Sequence, residues 1–281
     1  MRAWRIFRSP SRSALITAAA VGVVVIVTPA NGVASGVVTG FARAVRHLAA
    51  PAQNGQPRNS RSRNGQAFSG EPAVGALFTT SAGRLGRHFC TASVVGSPAG
   101  DLVLTAAHCV AGVPGTIDFV PGYDRGSTPY GVWTVTKIYV DRAWRSSSSQ
   151  DDDFAFLRVS SSGSGTAVED ETGAEKLVTG TPARHQLVQV IGYPNGANQP
   201  VTCQNWLREP MRDQIEFDCG GYTGGTSGGP FLSRVDPATG QGQIIGVIGG
   251  YEQGGNTPQV SYSPVLGRHA AALYKRAVAG G

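Results

Sequence analysis

Gly224-Gly225-Thr226-Ser227-Gly228-Gly229-Pro230 is the stretch from which the rest of the chain is best read. A serine hydroxyl is a weak nucleophile; it reacts only beside a base and beside amide donors that meet the oxyanion formed on attack. Glycines on both sides of Ser227 allow a tight turn, keep bulk away from a substrate carbonyl, and let the N–H groups of Gly225 and Ser227 face one small space. Taken alone, the segment reads equally well as a glycine-rich turn with an incidental serine.

Two further segments shift that balance. Leu104-Thr105-Ala106-Ala107-His108-Cys109 follows the apolar run Leu102-Val103-Leu104, and its two alanines leave room for an imidazole to face a neighbour. Asp151-Asp152-Asp153-Phe154-Ala155-Phe156-Leu157 leads three acids into an alternating apolar strand. Asp151 and Asp152 read as a solvated loop. Asp153 enters the strand, where a buried carboxylate would set the tautomer of His108 and stabilise its imidazolium. Histidine, then aspartate, then serine is one of the chain orders in which such a triad occurs.

Together the three segments resemble those of the chymotrypsin-fold, or trypsin-like, serine peptidases. The family's T-A-A-H-C stands at residues 105–109, its D-x-A-x-L at 153–157 and its G-x-S-G-G-P at 225–230. The resemblance covers residues 71–275, and the secreted bacterial members, including the glutamyl-endopeptidase-like (V8-like) group, look closest. It implies an acyl-enzyme mechanism with His108, Asp153 and Ser227 as catalytic residues and the amides of Gly225 and Ser227 as the oxyanion hole. No cofactor is needed for that chemistry.

The texture of the chain agrees. From Pro72 onward, short alternating runs at 74–78, 90–95, 132–136, 137–140, 186–193 and 243–248 are broken by glycine and proline, which argues for an all-β protein of barrels or sandwiches. Residues 265–279 have a helical period, with Leu266, Ala270, Leu273 and Tyr274 on one face. The resemblance implies two packed six-stranded antiparallel β-barrels and a C-terminal α-helix. His108 and Asp153 would lie on the first barrel (71–165), Ser227 on the second (166–281).

The first 34 residues have the pattern of a secretory signal peptide: Arg2, Arg5, Arg8 and Arg12, then the apolar core 14–27, then small residues around Ala30 and Ala34. That core is shorter than the roughly 20 residues needed to span a bilayer. Residues 35–70 read as a disordered pro-segment or linker, with one short basic helix at 41–50. These 70 residues hold 9 of the 24 Lys and Arg and none of the 18 acids, leaving 15 against 18 in the presumed mature domain. The basic balance therefore belongs to the leader, and nucleic acid is not expected as a partner. The expected product is a secreted monomer with no stable membrane association, acting on protein or peptide substrates.

An exported chain with four cysteines meets an oxidising compartment, and four cysteines allow three pairings. The resemblance favours Cys90 with Cys109, which leaves Cys203 with Cys219. No close Cys-x-x-Cys or His-x-x-x-His pair suggests a metal site, and His47, His88, His185 and His269 read as surface or structural residues.

Specificity is read by departure from the family. Trypsin-like members carry an aspartate six residues before the serine, where this chain has Gly221; glutamyl endopeptidases carry a histidine at what aligns with Ile248. Gly221, Tyr222, Ile248, Gly249, Gly250 and Tyr251 therefore outline a neutral pocket, with the glycines leaving backbone free to pair with an extended substrate. Asp218 keeps a basic preference open. Thr226 replaces the acid that pairs with a newly released N-terminus in the digestive members, so activation by that ion pair is not expected. Two other readings are a non-catalytic binding protein of the same fold and a hydrolase of non-peptide acyl groups.

Overall fold

A computed structural model of the chain describes residues 63–161, 165–208 and 213–280. The signal peptide, the helix at 41–50, His47 and most of the pro-segment lie outside the described residues. Strand β1 is Gln66–Ala67, followed by β2 (Val74–Ser81), β3 (Arg84–Val94), β4 (Leu102–Thr105), β5 (Thr116–Pro121), β6 (Trp133–Val140) and β7 (Ala155–Ser161). Then come β8 (Lys176–Leu177), β9 (Leu187–Gly192), β10 (Val201–Trp206), β11 (Gln214–Asp218), β12 (Pro230–Ser233), β13 (Gln243–Val247) and β14 (Val260–Pro264). The helices are α1 (Arg142–Ser147), α2 (Val168–Thr172) and α3 (Arg268–Ala279).

The first half closes into a six-stranded barrel in the order β2-β3-β4-β7-β6-β5. Its interior is filled by Leu77, Ala92, Val94, Val103, Phe119, Trp133, Ala155 and Leu157, all buried. The alternate residues of β4 and β7 are buried as well, because Leu102, Leu104 and Phe156 face Ala270, Leu273 and Ala277 of α3. Arg158 fastens the end of that helix: its guanidinium donates to the carbonyls of Ala277 and Val278 and pairs with Asp101. A cation here satisfies exposed helix-end carbonyls and complements the helix dipole. The runs 132–136 and 137–140, read as two strands, are one strand with a register shift between Val135 and Lys137.

The second half is a six-stranded sheet in the order β1-β10-β9-β12-β13-β8, with β11 and β14 paired beside it. It departs from an all-antiparallel barrel at one edge, where β8 runs parallel to β13. The β11–β14 pair joins β13 through Val247 N–H to Ser263 Oγ (2.8 Å), enclosing Ile215, Phe217, Phe231 and Ile245. The folded region also begins earlier than Glu71. Gln66 and Ala67 pair with Thr202 and Val201, and the Gly65 amide donates to the Gly220 carbonyl at 2.7 Å. Residues 63–70 have little to bury, but edge pairing needs only backbone.

The two halves meet through Thr91 of β3, which is fully buried. Its amide donates to the Ser227 carbonyl (2.7 Å), and its hydroxyl donates to the Gly225 carbonyl (3.0 Å) and accepts the Tyr193 amide (2.9 Å). Its carbonyl accepts the hydroxyl of Thr105 at 2.7 Å. One side chain thus ties the first barrel to two turns of the second sheet. Thr91→Val keeps the shape and removes the hydroxyl, orphaning a buried amide and a buried carbonyl. It is expected to lower the unfolding free energy by about 2 kcal/mol or more in urea denaturation, and a loss below about 0.5 kcal/mol, the ordinary range for neutral substitutions, would contradict this role.

Candidate active site

β4 ends at Thr105 and the chain turns through one 3-10 turn, Ala107–Cys109, that carries His108. Ala106 and Ala107 are fully buried, so the turn sits flush on the barrel, and the Cys90–Cys109 disulfide ties it to β3 with a Cα separation of 6.1 Å. A second 3-10 turn, Gln150–Asp152, delivers Asp153 just ahead of β7.

Asp153 is fully buried and its carboxylate takes three N–H donors. Oδ1 accepts the His108 backbone amide at 2.8 Å; Oδ2 accepts His108 Nδ1 at 2.7 Å and the Gly250 amide at 2.8 Å. An ionised carboxylate can only accept, so the proton of the neutral imidazole belongs on Nδ1 and the basic lone pair on Nε2. The His108 side chain keeps 13% of its surface accessible, enough for that edge to meet a substrate.

Ser227 reaches the same seam by backbone contacts. Besides its carbonyl bond to Thr91, the following amide, Gly228 N–H, donates to the Ile248 carbonyl at 2.7 Å. Gly228 has φ +80°, and a Cβ there would lie 2.2 Å from the Thr91 carbonyl oxygen and 2.1 Å from Thr105 Oγ1. Only glycine lets this turn rest against the strand that leads to His108. Gly225, at φ +94°, is equally confined, with Asn195 Oδ1 2.4 Å from a Cβ position. Among the described residues the amides of Gly225 and Ser227 donate to no other protein group, and no hydrogen bond joins Ser227 Oγ to His108. Catalytic hydrogen bonds of this kind commonly tighten only when substrate is bound.

The residues expected to shape specificity are only partly free to do so. Gly221 is exposed, Ile248 is buried beneath the turn, and the Tyr222 hydroxyl is spent on the Val190 carbonyl at 2.7 Å. Burial pushes the Tyr222 phenol well above its ordinary range, so it is neutral. Gly249 and Gly250 do not offer free amides: the first donates to the Tyr262 carbonyl (3.0 Å), the second to Asp153. Tyr251 is 38% exposed, with its ring edge-on to Tyr262 at 5.1 Å. Asp218 is ion-paired with the exposed guanidinium of Arg208.

Other expectations sort by packing. His88 is buried among Phe78, Tyr123 and Tyr193, with Nε2 2.8 Å from the Ala197 carbonyl, a structural position. Asp152 is not solvated: it is 5% exposed, bonded to His269 Nδ1 (2.6 Å) and to the Ser149 hydroxyl (2.7 Å). Donor atoms of Asp141, Asp152 and His269 lie within 4.8 Å of one another. Those bonds, with Asp141 capping the Ala143 amide, account for the arrangement without an ion. Cys203–Cys219 closes the second disulfide. Sequence reasoning missed Thr91 and the Gly250 amide. Small polar residues at interior positions, Thr91 and Ser93 in an apolar strand, were the available signal for the first; the second is a backbone group and left none.

The trypsin family model matches residues 61–266. Protease Anisep from Arthrobacter nicotinovorans is 26% identical, with a TM-score of 0.64 over 76% of this chain and 99% of that one. Serine protease AL20, described as thermostable and from an extremophilic microorganism, is 25% identical, with a TM-score of 0.64 over 75% and 99%. A Glu endopeptidase, 16% identical at TM-score 0.61 over 77% and 97%, shares the fold alone, so special closeness to that group is not supported. No curated protein sequence matches the chain. A family match over most of the chain, on a two-sheet fold of this topology, shows that it belongs to the trypsin family of serine proteases.

Proposed function

We propose that this protease is a secreted serine endopeptidase with His108, Asp153 and Ser227 as its catalytic residues. The observation that carries the reading is the Asp153 carboxylate: buried, holding His108 at both its backbone and its ring, and set across the seam from a glycine turn with two unused amides. In the reaction Ser227 Oγ attacks the scissile carbonyl while His108 Nε2 takes its proton. The amides of Gly225 and Ser227 meet the oxyanion, and Asp153 stabilises the imidazolium without taking the proton. His108 then protonates the leaving amine, and water repeats the sequence to release the acyl group.

The arrangement does not depend on an N-terminal amine. Thr226 Oγ1 donates to the Thr223 carbonyl at 2.8 Å, so the residue before the nucleophile is satisfied within its own turn. Residues 1–34 act as the export signal and the segment after them as a pro-segment or linker. Two disulfides fit an extracellular protein, and among the described residues no helix is long and apolar enough to cross a membrane.

Ser227→Ala is expected to lower peptide hydrolysis by about 10⁶ with the fold intact, and Asp153→Asn by about 10³–10⁴ in kcat with little change in KM. Peptide hydrolysis by the purified variants, with circular dichroism as the folding control, reads both; activity of Ser227→Ala within tenfold of wild type would defeat the assignment. With Asp218 ion-paired to Arg208 and no charge at Gly221, Tyr222 or Ile248, a peptide library is expected to show preference for neutral side chains before the cut. Strict selection of Glu or Arg would contradict the pocket.

A further inference from the structure

Glu71 and Glu175 take no part in the site above, yet they are among the least exposed charged residues, at 4% and 0%. Both side chains lie against the same turn: the Glu175 carboxyl is bonded to the Gly242 amide, and the Glu71 side chain lies beside Gly240. Glu175 Oε2 accepts the Gly242 amide at 2.5 Å; both oxygens of Glu71 and Oε1 of Glu175 have no donor in bonding geometry. Two ionised carboxylates close together and out of water would repel one another with little screening, and each would lose its hydration. A single proton between them converts that repulsion into an O–H···O⁻ hydrogen bond, the strong charge-assisted kind.

The surroundings supply only weak compensation, from the Ala73 and Val74 amides. Near the pair is the Tyr193 phenol, just past β9, with Asp124 and Tyr123 beside that phenol; exposed Asp236 lies on the turn before β13. Glu169 lies on α2, bonded to the Ser97 amide, and Lys176, next to Glu175, is exposed. Among the described residues no Arg, Lys or His is bonded to either carboxyl. Burial pushes both groups above the ordinary glutamate range, outweighing the pull of the Ala73 and Val74 amides on Glu71; the neighbouring carboxylate raises Glu175 further.

The position gives the pair its meaning. The Glu71 carbonyl accepts the Val74 amide at 3.1 Å, at the entry to β2. Glu175, on the linker between the halves, donates its amide to the Val94 carbonyl and accepts the Gly96 amide, both at 3.0 Å. Its carboxyl holds the turn before β13, where a Cβ on Gly240 would also touch Glu71. Entry segment, linker and turn therefore converge on these two side chains. We propose that Glu71 and Glu175 form a proton-binding site that keeps one shared proton at neutral pH and fastens this junction, which loosens when the proton passes to hydroxide.

The direction with pH follows from linkage. The folded chain keeps a proton that the unfolded chain has released, so the contribution is complete below the ordinary glutamate range and is lost as pH rises through the raised values. The test uses the full chain carrying Ser227→Ala to suppress self-digestion, and its readouts, the thermal midpoint and an infrared band, do not measure catalysis. The thermal midpoint is expected to fall by about 4 °C or more between about pH 5 and pH 9. Adding Glu175→Gln should flatten that fall and make the protein the more stable one at the alkaline end; Glu71→Gln serves if the first variant does not fold. Infrared difference spectra at neutral pH should show a protonated-carboxyl band that the Gln variant lacks. Equal pH slopes, absence of that band, or a calcium-dependent rise in the midpoint that only the parent shows would overturn the shared proton, the last in favour of a bound cation.

Discussion

A carboxylate with no access to water must be met by donors from the protein or it is not tolerated, and Asp153 is such a carboxylate. Its three donors come from both halves of the molecule: His108 twice from the first barrel, Gly250 from the loop after β13. Satisfying one buried charge therefore requires the halves to dock in a single register. That docking orients the imidazole. Stability of the seam and geometry of the site are one constraint seen from two sides.

The remainder of the seam is built from groups small enough to let two backbones touch. Thr91 and Thr105 supply hydroxyls at interior positions where larger side chains would separate the halves, and Gly228 removes the one Cβ that would strike both. Ser227 is thus placed by main-chain bonds on either side of it rather than by its own hydroxyl. This leaves the hydroxyl uncommitted, as the proposed chemistry requires. Around this centre lie apolar masses with other duties: the barrel interior, and α3 laid over the outer faces of β4 and β7.

Much of this was legible in the chain. The strand texture, the helical face of Ala270 and Leu273, and the three motifs were readable because each is a local pattern, carried within a few residues. What was not readable is long-range or lies in the backbone. Asp152 looked like Asp151 until α3 brought His269 against it. Gly250 acts through an amide that any residue possesses. Gln66 and Ala67 read as linker because pairing with β10 needs no distinctive side chain. Glu71 and Glu175 are more than a hundred residues apart and neither neighbourhood suggests burial; only the folded junction reveals them.

The central claim is that the buried carboxylate, the imidazole and the serine act as one unit. The most direct measurement is the rate at which a fluorophosphonate labels Ser227 in the purified protein, with the site located by mass spectrometry and compared across wild type, Asp153→Asn and His108→Ala. Labelling of Ser227 in wild type that falls by about a thousandfold or more in both variants, in line with losses seen when a triad member is removed, is the predicted result. Absence of label on a correctly folded wild-type protein, or equal labelling in all three, would contradict it.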